Sequence, residues 1–147
     1  MERPPLPEAE FREIFAKVPR LTVEVVVSGS RGILLTRRPA GPCAGLWHVP
    51  GGTVRFGEPV VDAVHRVAAD ELGLDVTAGA FLGYLEYPSH YLHGLDSPVG
   101  LAFLAEVHGD PDATTDPDHG WFVDPPAPMH AEQVEFLVAR GLLAPTP

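Results

Sequence analysis

Two adjacent acids, Asp70 and Glu71, close a helical pattern that begins just after a glycine pair, in the stretch GGTVRFGEPVVDAVHRVAADELG from Gly51 to Gly73. Pro59 suits the first helical position, because its missing N–H would be unpaired there in any case. Gly73 suits the position just past the last turn, where a left-handed residue closes a helix. At about 100° per residue, Val60, Val64, Val67 and Ala68 form one apolar stripe, and Glu71 falls within it. Asp70 lies at the stripe's edge, one turn beyond Arg66, its i, i+4 partner. The C-terminal end of a helix disfavours each carboxylate by about 0.3–1 kcal/mol. A carboxylate aimed at an apolar interior costs more unless it is paired. Arg66 offsets Asp70; nothing nearby in the chain offsets Glu71, which we expect to be buried.

Its partner is then either an arginine or backbone N–H groups from elsewhere, or a divalent cation. Carboxylate and carbonyl oxygens suit magnesium, with manganese able to substitute. The glycine pair favours the cation, because glycine lets a backbone carbonyl approach a ligand closely. A carbonyl from Gly51 or Gly52, with Glu71 and Asp70, would make half of an octahedral shell. Water and substrate phosphate oxygens would complete it.

Other charged residues extend the candidate site. Arg37 and Arg38 directly follow a strand, and their planar guanidinium groups suit phosphate. Neighbours on a strand face opposite sides, so one of them, with Arg38 favoured, is expected to reach the ligand. Glu24 interrupts an apolar strand and either binds a ligand group such as a base N–H or pairs with an arginine. Trp47, Tyr84, Tyr87 and Tyr91 read as core aromatics before they read as stacking platforms. His90 and His93 read as solvated loop histidines, His65 as surface.

The elements that must position these residues are short. Glu8 to Val18 carries Phe11, Ile14, Phe15 and Val18 at helical spacing and ends at Pro19. LTVEVVVS, the turn GSRG and ILLTRR predict a hairpin of buried strands. One short strand surrounds Trp47, and the Pro59 helix follows. Val76 to Tyr87, VGLAFLAEV and WFV are the later strands, with SHYLHGLDSP and DPDATTDPDHG as loops. AEQVEFLVARGLL is a final helix. The order α β β β α β β β α predicts an α/β fold, a mixed sheet with helices on its faces.

Residues 1–147 are expected to form a single domain, with residues 1–19 as an N-terminal helical arm. A net charge of −10 with no basic patch argues against a nucleic-acid polymer as partner. A small phosphorylated ligand remains open, since local arginines or a metal override the global field. No apolar run approaches the length of a membrane span, and MERPPLPEAE lacks the basic and apolar regions of a signal peptide. The single cysteine, Cys43, rules out an internal disulfide framework and any cysteine-based metal cage. These features predict a cytoplasmic protein without a membrane partner.

The acidic helix resembles the signature of the Nudix hydrolases, G-x5-E-x7-R-E-U-x-E-E-x-G-U, with U a bulky apolar residue. Gly52, Glu58, Arg66, Glu71, Gly73 and Leu74 match at the right spacings, and Asp70 replaces the first acid of the E-E pair. The resemblance spans 52–74 and implies an α/β/α sandwich. Val67 departs from it, standing where family members that split a phosphoanhydride carry another glutamate. The GDP-mannose mannosyl hydrolase branch is similar in having an apolar residue there and using one metal. FREIFAKVPRLTVEVVV, SRGILLTRRPAGPCAGLWHVPGG and ELGL extend that likeness. It implies that Gly51, through its carbonyl, and Glu71 hold the metal while Arg38 contacts the diphosphate. Thr53 stands where that branch has an arginine, and Arg55 is the candidate substitute. The branch's general base is a histidine five residues before a tryptophan; here that position is Asp116, with His119 nearer to Trp121.

The reading that follows is a magnesium-dependent hydrolase of a nucleoside diphosphate linked to another group, nucleotide sugars being the favoured class. Arg66, Asp116 and His119 are its candidate catalytic residues. Arg37, Arg38, Arg55 and Glu24 are candidates for substrate binding, and Gly51, Gly52, Glu58, Asp70 and Glu71 for metal. One rival is a pyrophosphohydrolase of nucleotides in which Glu58, Asp70 and Glu71 share the metals. Another is a ligand sensor without catalysis. The N-terminal helix is a candidate surface for packing against a second copy.

Overall fold

The computed structural model describes residues 5–41, 43–113 and 116–145. The first four residues of the expected N-terminal arm and the Thr114–Thr115 part of the second acidic loop lie outside these. In chain order the elements are α1 (Glu8–Phe15), β1 (Arg20–Val26), β2 (Ser28–Gly29), β3 (Gly32–Arg37), β4 (Trp47–His48), β5 (Gly51–Thr53), α2 (Val60–Leu72), β6 (Asp75–Glu86), α3 (Pro88–Tyr91), β7 (Pro98–His108), β8 (His119–Phe122) and α4 (Ala131–Ala139). The short α3 lies in the segment SHYLHGLDSP, which the sequence predicts as loop.

β1 is buried along most of its length because it is covered on both faces, the condition under which a strand reads as a continuous apolar run. It runs parallel to β7 and antiparallel to β5, in a mixed sheet ordered β5-β1-β7-β6. Val23 and Val25 point to one face, where Ala63, Val64, Val67, Ala68 and Leu72 of α2 cover them. Val26 points to the other face, with Leu35, Val49 and Leu137 of α4. Helices on opposite faces of a mixed sheet make the α/β/α sandwich.

The predicted hairpin of LTVEVVVS with ILLTRR does not form as a long ladder. Only Ser28 and Gly29 pair with Ile33 and Gly32, and β3 instead joins β4 and β8 in a second sheet. The turn at GSRG is local, but the partner of β1 is distant β7, a parallel pairing that needs a long crossover.

α2 starts one residue later than expected, with Pro59 at the N-cap, and ends at Gly73 with φ 65° in the left-handed region. Gly52 fixes how closely this helix approaches the sheet, since a Cβ there would lie 2.8 Å from Val67 Cγ2. The apolar residue at 67 is therefore a packing element seated on a glycine. Gly52→Ala is expected to destabilise the fold by about 1–3 kcal/mol through overpacking. Combining it with Val67→Ala should recover part of that loss in a double-mutant cycle measured by urea unfolding. Strict additivity would reject the contact. α1 has no buried residue; Phe11 meets Phe15 edge-on, and the Arg20 guanidinium lies 5.6 Å from the Phe11 ring.

Candidate active site

Glu71 is exposed, contrary to the burial its helical position predicts. Its azimuth does match the apolar stripe, but at this position the helix faces a cleft and not the core. Opposite it stands Gly51, which has no side chain, and a cleft opens there. The cleft has room for about 240 Å³ and is lined by Gly51, Glu71, Arg37, Arg38, Asp116, Asp118 and His119, with His48 and Thr36 at its floor. Among the described residues Glu71 has no hydrogen-bond or ion-pair partner. No arginine neutralises it, so the donor set facing the cleft is a bare carboxylate beside a glycine backbone. Hard oxygen donors of that kind fit magnesium or manganese.

The other candidates divide. The Arg38 side chain, like that of Glu71, has no hydrogen-bonded partner among the described residues, and it lines the cleft. Arg37 is engaged: its Nε and Nη2 donate to Asp118 Oδ1 at 3.1 and 2.9 Å, and its guanidinium lies 5.2 Å from the Trp47 ring. Asp116 Oδ2 lies 3.7 Å from His119 Nε2, which makes the two base candidates a single pair. Asp70, mostly exposed, sits 3.8 Å from Arg66 and does not line this cleft. Arg55 does not line it either.

Glu58 and Arg66 hold each other. Arg66 Nε donates to Glu58 Oε2 at 2.8 Å, and Nη2 to Glu58 Oε1 at 3.0 Å and to the Thr53 carbonyl at 2.8 Å. Glu58 Oε1 also accepts the Arg55 N–H at 3.1 Å. The Arg66 hydrogen bond pulls the Glu58 carboxyl below its ordinary range. Both Glu58 oxygens are engaged, neither residue lines the cleft, and Arg66 ties the segment after β5 to α2. Arg66→Ala would leave a mostly buried carboxylate and the Thr53 carbonyl without their donor, for an expected loss of about 2 kcal/mol. Arg66→Lys, lacking the bidentate fork, should recover less than half of it in chemical denaturation. Full recovery by lysine would show that charge alone matters.

A second cavity shares Arg38, His48 and Gly51 with the cleft and reaches Glu24. Glu24 is buried, and two glycines make room for it: a Cβ at Gly51 would lie 2.8 Å from its Oε2, and one at Gly100 would lie 2.5 Å from its Oε1. Tyr87 Oη donates to Glu24 Oε1 at 2.9 Å, Gln133 Nε2 donates to Tyr87 Oη at 3.0 Å, and Gln133 Oε1 accepts the Val49 N–H at 2.9 Å. Burial pushes the Glu24 carboxyl up to about 7, against the Tyr87 hydrogen bond and the nearby charges of Arg20 and Arg38. Neither arginine bonds to it directly, so the ion-pair alternative for Glu24 is not what the structure shows.

Sequence reasoning missed His48, Asp118, His130 and Gln133. His48 is buried, with Nδ1 2.9 Å from the Val49 carbonyl and Nε2 3.2 Å from Thr36 Oγ1. Burial and the Arg38 charge lower it to about 4, so it is neutral at physiological pH. Its position beside the glycine pair was a usable signal; Gln133 and His130 offered none, since both come from the distant α4 region.

The sequence and fold are similar to those of known proteins. Residues 18–138 match the NUDIX domain, and the chain belongs to that family. It is 42% identical over 109 residues to the low-salt glycan biosynthesis protein Agl8 of Haloferax volcanii, covering 73% of this chain and 70% of that protein. It is 31% identical over 91 residues to an ADP-ribose pyrophosphatase of Methanocaldococcus jannaschii, covering 62% of this chain and 53% of that one. Among solved structures, a MutT NUDIX hydrolase from Burkholderia pseudomallei superposes with a TM-score of 0.71 at 30% identity, covering 82% of this chain and 97% of that one. The chain is a Nudix-type hydrolase acting on nucleoside diphosphate derivatives, a family that generally uses magnesium or manganese. No helix among the described residues is long and apolar enough to cross a membrane.

Proposed function

We propose that this chain hydrolyses nucleoside diphosphates linked to a sugar, with magnesium at Glu71 and the Gly51 carbonyl, releasing nucleoside diphosphate and free sugar. The observation that carries this reading is the pairing of a bare carboxylate with a bare guanidinium, Glu71 and Arg38, across one cleft. The burial of Val67 supports it, because Glu71 is then the one acid of α2 that lines the cleft. Among the described residues no three acids there bring their oxygens within 4.8 Å of one another. Attack at phosphorus gains most from several metal charges, whereas departure of a diphosphate from a sugar carbon needs only its leaving charge neutralised.

A magnesium ion bound at Glu71 would stabilise charge developing on the diphosphate. Arg38 would bind the same phosphates through its planar fork. The Asp116–His119 pair would take a proton from water as that water's oxygen bonds to the sugar carbon. The carbon–oxygen bond breaks, and its electron pair leaves with the diphosphate. Glu24, with Oε2 beside Gly51, is the proposed reader of a ligand N–H. The glycan-related relative supports the sugar class. The proposal includes a cytoplasmic location and a second copy over α1, which sedimentation velocity would detect.

The second reading, a nucleotide pyrophosphohydrolase, is favoured by Asp116 and Asp118 lining the cleft opposite Glu71 and by the ADP-ribose pyrophosphatase relative. Turnover of a nucleotide-sugar panel with magnesium in oxygen-18 water separates the two. Label in the free sugar supports attack at carbon; label in a nucleoside monophosphate or sugar phosphate would replace the first reading by the second.

A further inference from the structure

Three side chains with metal-ligating atoms meet beside the second cavity, which His90 and His130 line. Cys43 lies in the loop between β3 and β4, His90 in α3, and His130 at the N-cap of α4. Their ligand atoms all lie within 4.8 Å of one another, and no other group of three Cys, His, Asp or Glu side chains does so among the described residues. A mixed set drawn from three separate segments cannot be read from cysteine spacing, which is why a single cysteine argued against a cage.

His90 carries the independent sign. Its Nε2 is buried and has no hydrogen-bond partner among the described residues. Its Nδ1 lies 3.4 Å from Asp96 Oδ1, and Asp96 is itself fixed by Arg20 Nε at 2.6 Å. A buried ring nitrogen without a partner is a cost the fold must otherwise explain. An imidazole with a carboxylate behind one nitrogen and the other left bare has the arrangement of a metal ligand. The His130 ring stands 5.1 Å from the His90 ring, centroid to centroid. One thiolate and two imidazoles select a zinc-class ion and reject magnesium.

We propose that Cys43, His90 and His130 bind one zinc-class divalent ion at a site separate from Glu71 and Gly51. Bond lengths of about 2.0–2.3 Å place tetrahedral ligand atoms about 3.3–3.7 Å apart, so atoms already within 4.8 Å of one another need at most about 1.5 Å of closure. The Cys43 thiol gives its proton to solvent as the bond forms. Three protein ligands leave the fourth position for water or a ligand. The ion would also close the loop that presents Arg38, whose backbone already pairs across it: Gly45 N–H to the Arg38 carbonyl at 2.8 Å and Arg38 N–H to the Leu46 carbonyl at 3.1 Å.

Cobalt titration of chelator-treated protein in excess magnesium tests the proposal. The expected result is one ion per chain, with tetrahedral d–d bands and a thiolate-to-cobalt charge-transfer band. Cys43→Ser should abolish that band and weaken zinc at least about tenfold, as should His130→Ala. Zinc should shield Cys43 from a thiol reagent in the wild type and not in His130→Ala. Alkylating Cys43 in the native protein gives the same readout without any substitution. Octahedral cobalt without the thiolate band, zinc held as tightly after alkylation as before, or no zinc bound at micromolar concentration would each overturn the site.

Discussion

Glu71→Gln should lower magnesium-dependent turnover by about 100-fold or more while leaving the fold's stability within about 0.5 kcal/mol. The two halves of that expectation come from the same observation. The carboxylate is exposed and unpaired among the described residues, so no folded-state partner is lost when its charge is removed. Taking a negative charge from the C-terminal end of α2 favours the helix by a few tenths of a kcal/mol. Function should respond differently, because a neutral amide is a poor ligand for a hard dication. Asp70→Asn is the natural control. Asp70 leans toward Arg66 and does not line the cleft, so its effect on turnover should be at least about tenfold smaller. Manganese titration followed by electron paramagnetic resonance should show the Glu71→Gln site weakened in parallel with turnover. A variant that turns over like the wild type would remove Glu71 from the reaction.

The sequence showed the direction in which Glu71 points but not what lies beneath it. A helical pattern fixes an azimuth, and Glu71 shares that of Val64 and Val67. Whether core or solvent faces it depends on what other elements place opposite, here Gly51 with no side chain. Gly52 shows the converse, since its need for glycine comes from Val67 of a different element. α2 and its Gly73 cap were legible because 3.6-residue periodicity and chain-terminal signals are local. The parallel β1–β7 pairing was not, because no local feature of LTVEVVV selects a partner so distant. The Glu58–Arg66 clasp falls between these cases. Both residues belong to one signature, but spacing alone does not distinguish a carboxylate that holds a metal from one that holds an arginine. His48 and His130 were passed over, and Cys43 was set aside as unable to build a cage, for a related reason: each looks ordinary in its own segment and gains meaning only beside the others.

Replacing Glu24 by Gln should stabilise the protein by about 2–3 kcal/mol at pH 8 and change little near pH 4. Burial raises the Glu24 carboxyl from 4.5 to about 7 in the fold. Below pH 4.5 the group is protonated in both folded and unfolded chains and contributes no pH dependence. Between about 4.5 and 7 the unfolded chain has released its proton while the folded one keeps it, so stability falls as pH rises. Above 7 both forms are ionised and the penalty is constant, about 3 kcal/mol from the size of the shift. Glutamine keeps an oxygen to accept the Tyr87 hydroxyl, and with it the chain through Gln133 to the Val49 N–H. Glu24→Ala, by contrast, should destabilise at every pH, because Tyr87 would lose its acceptor inside the fold. Urea unfolding of wild type and both variants from pH 4 to 8 decides the matter. A Glu24→Gln difference of the same size at both ends of that range would mean that the carboxyl ionises normally in the folded protein, with an arginine or water closer to it than the geometry shows.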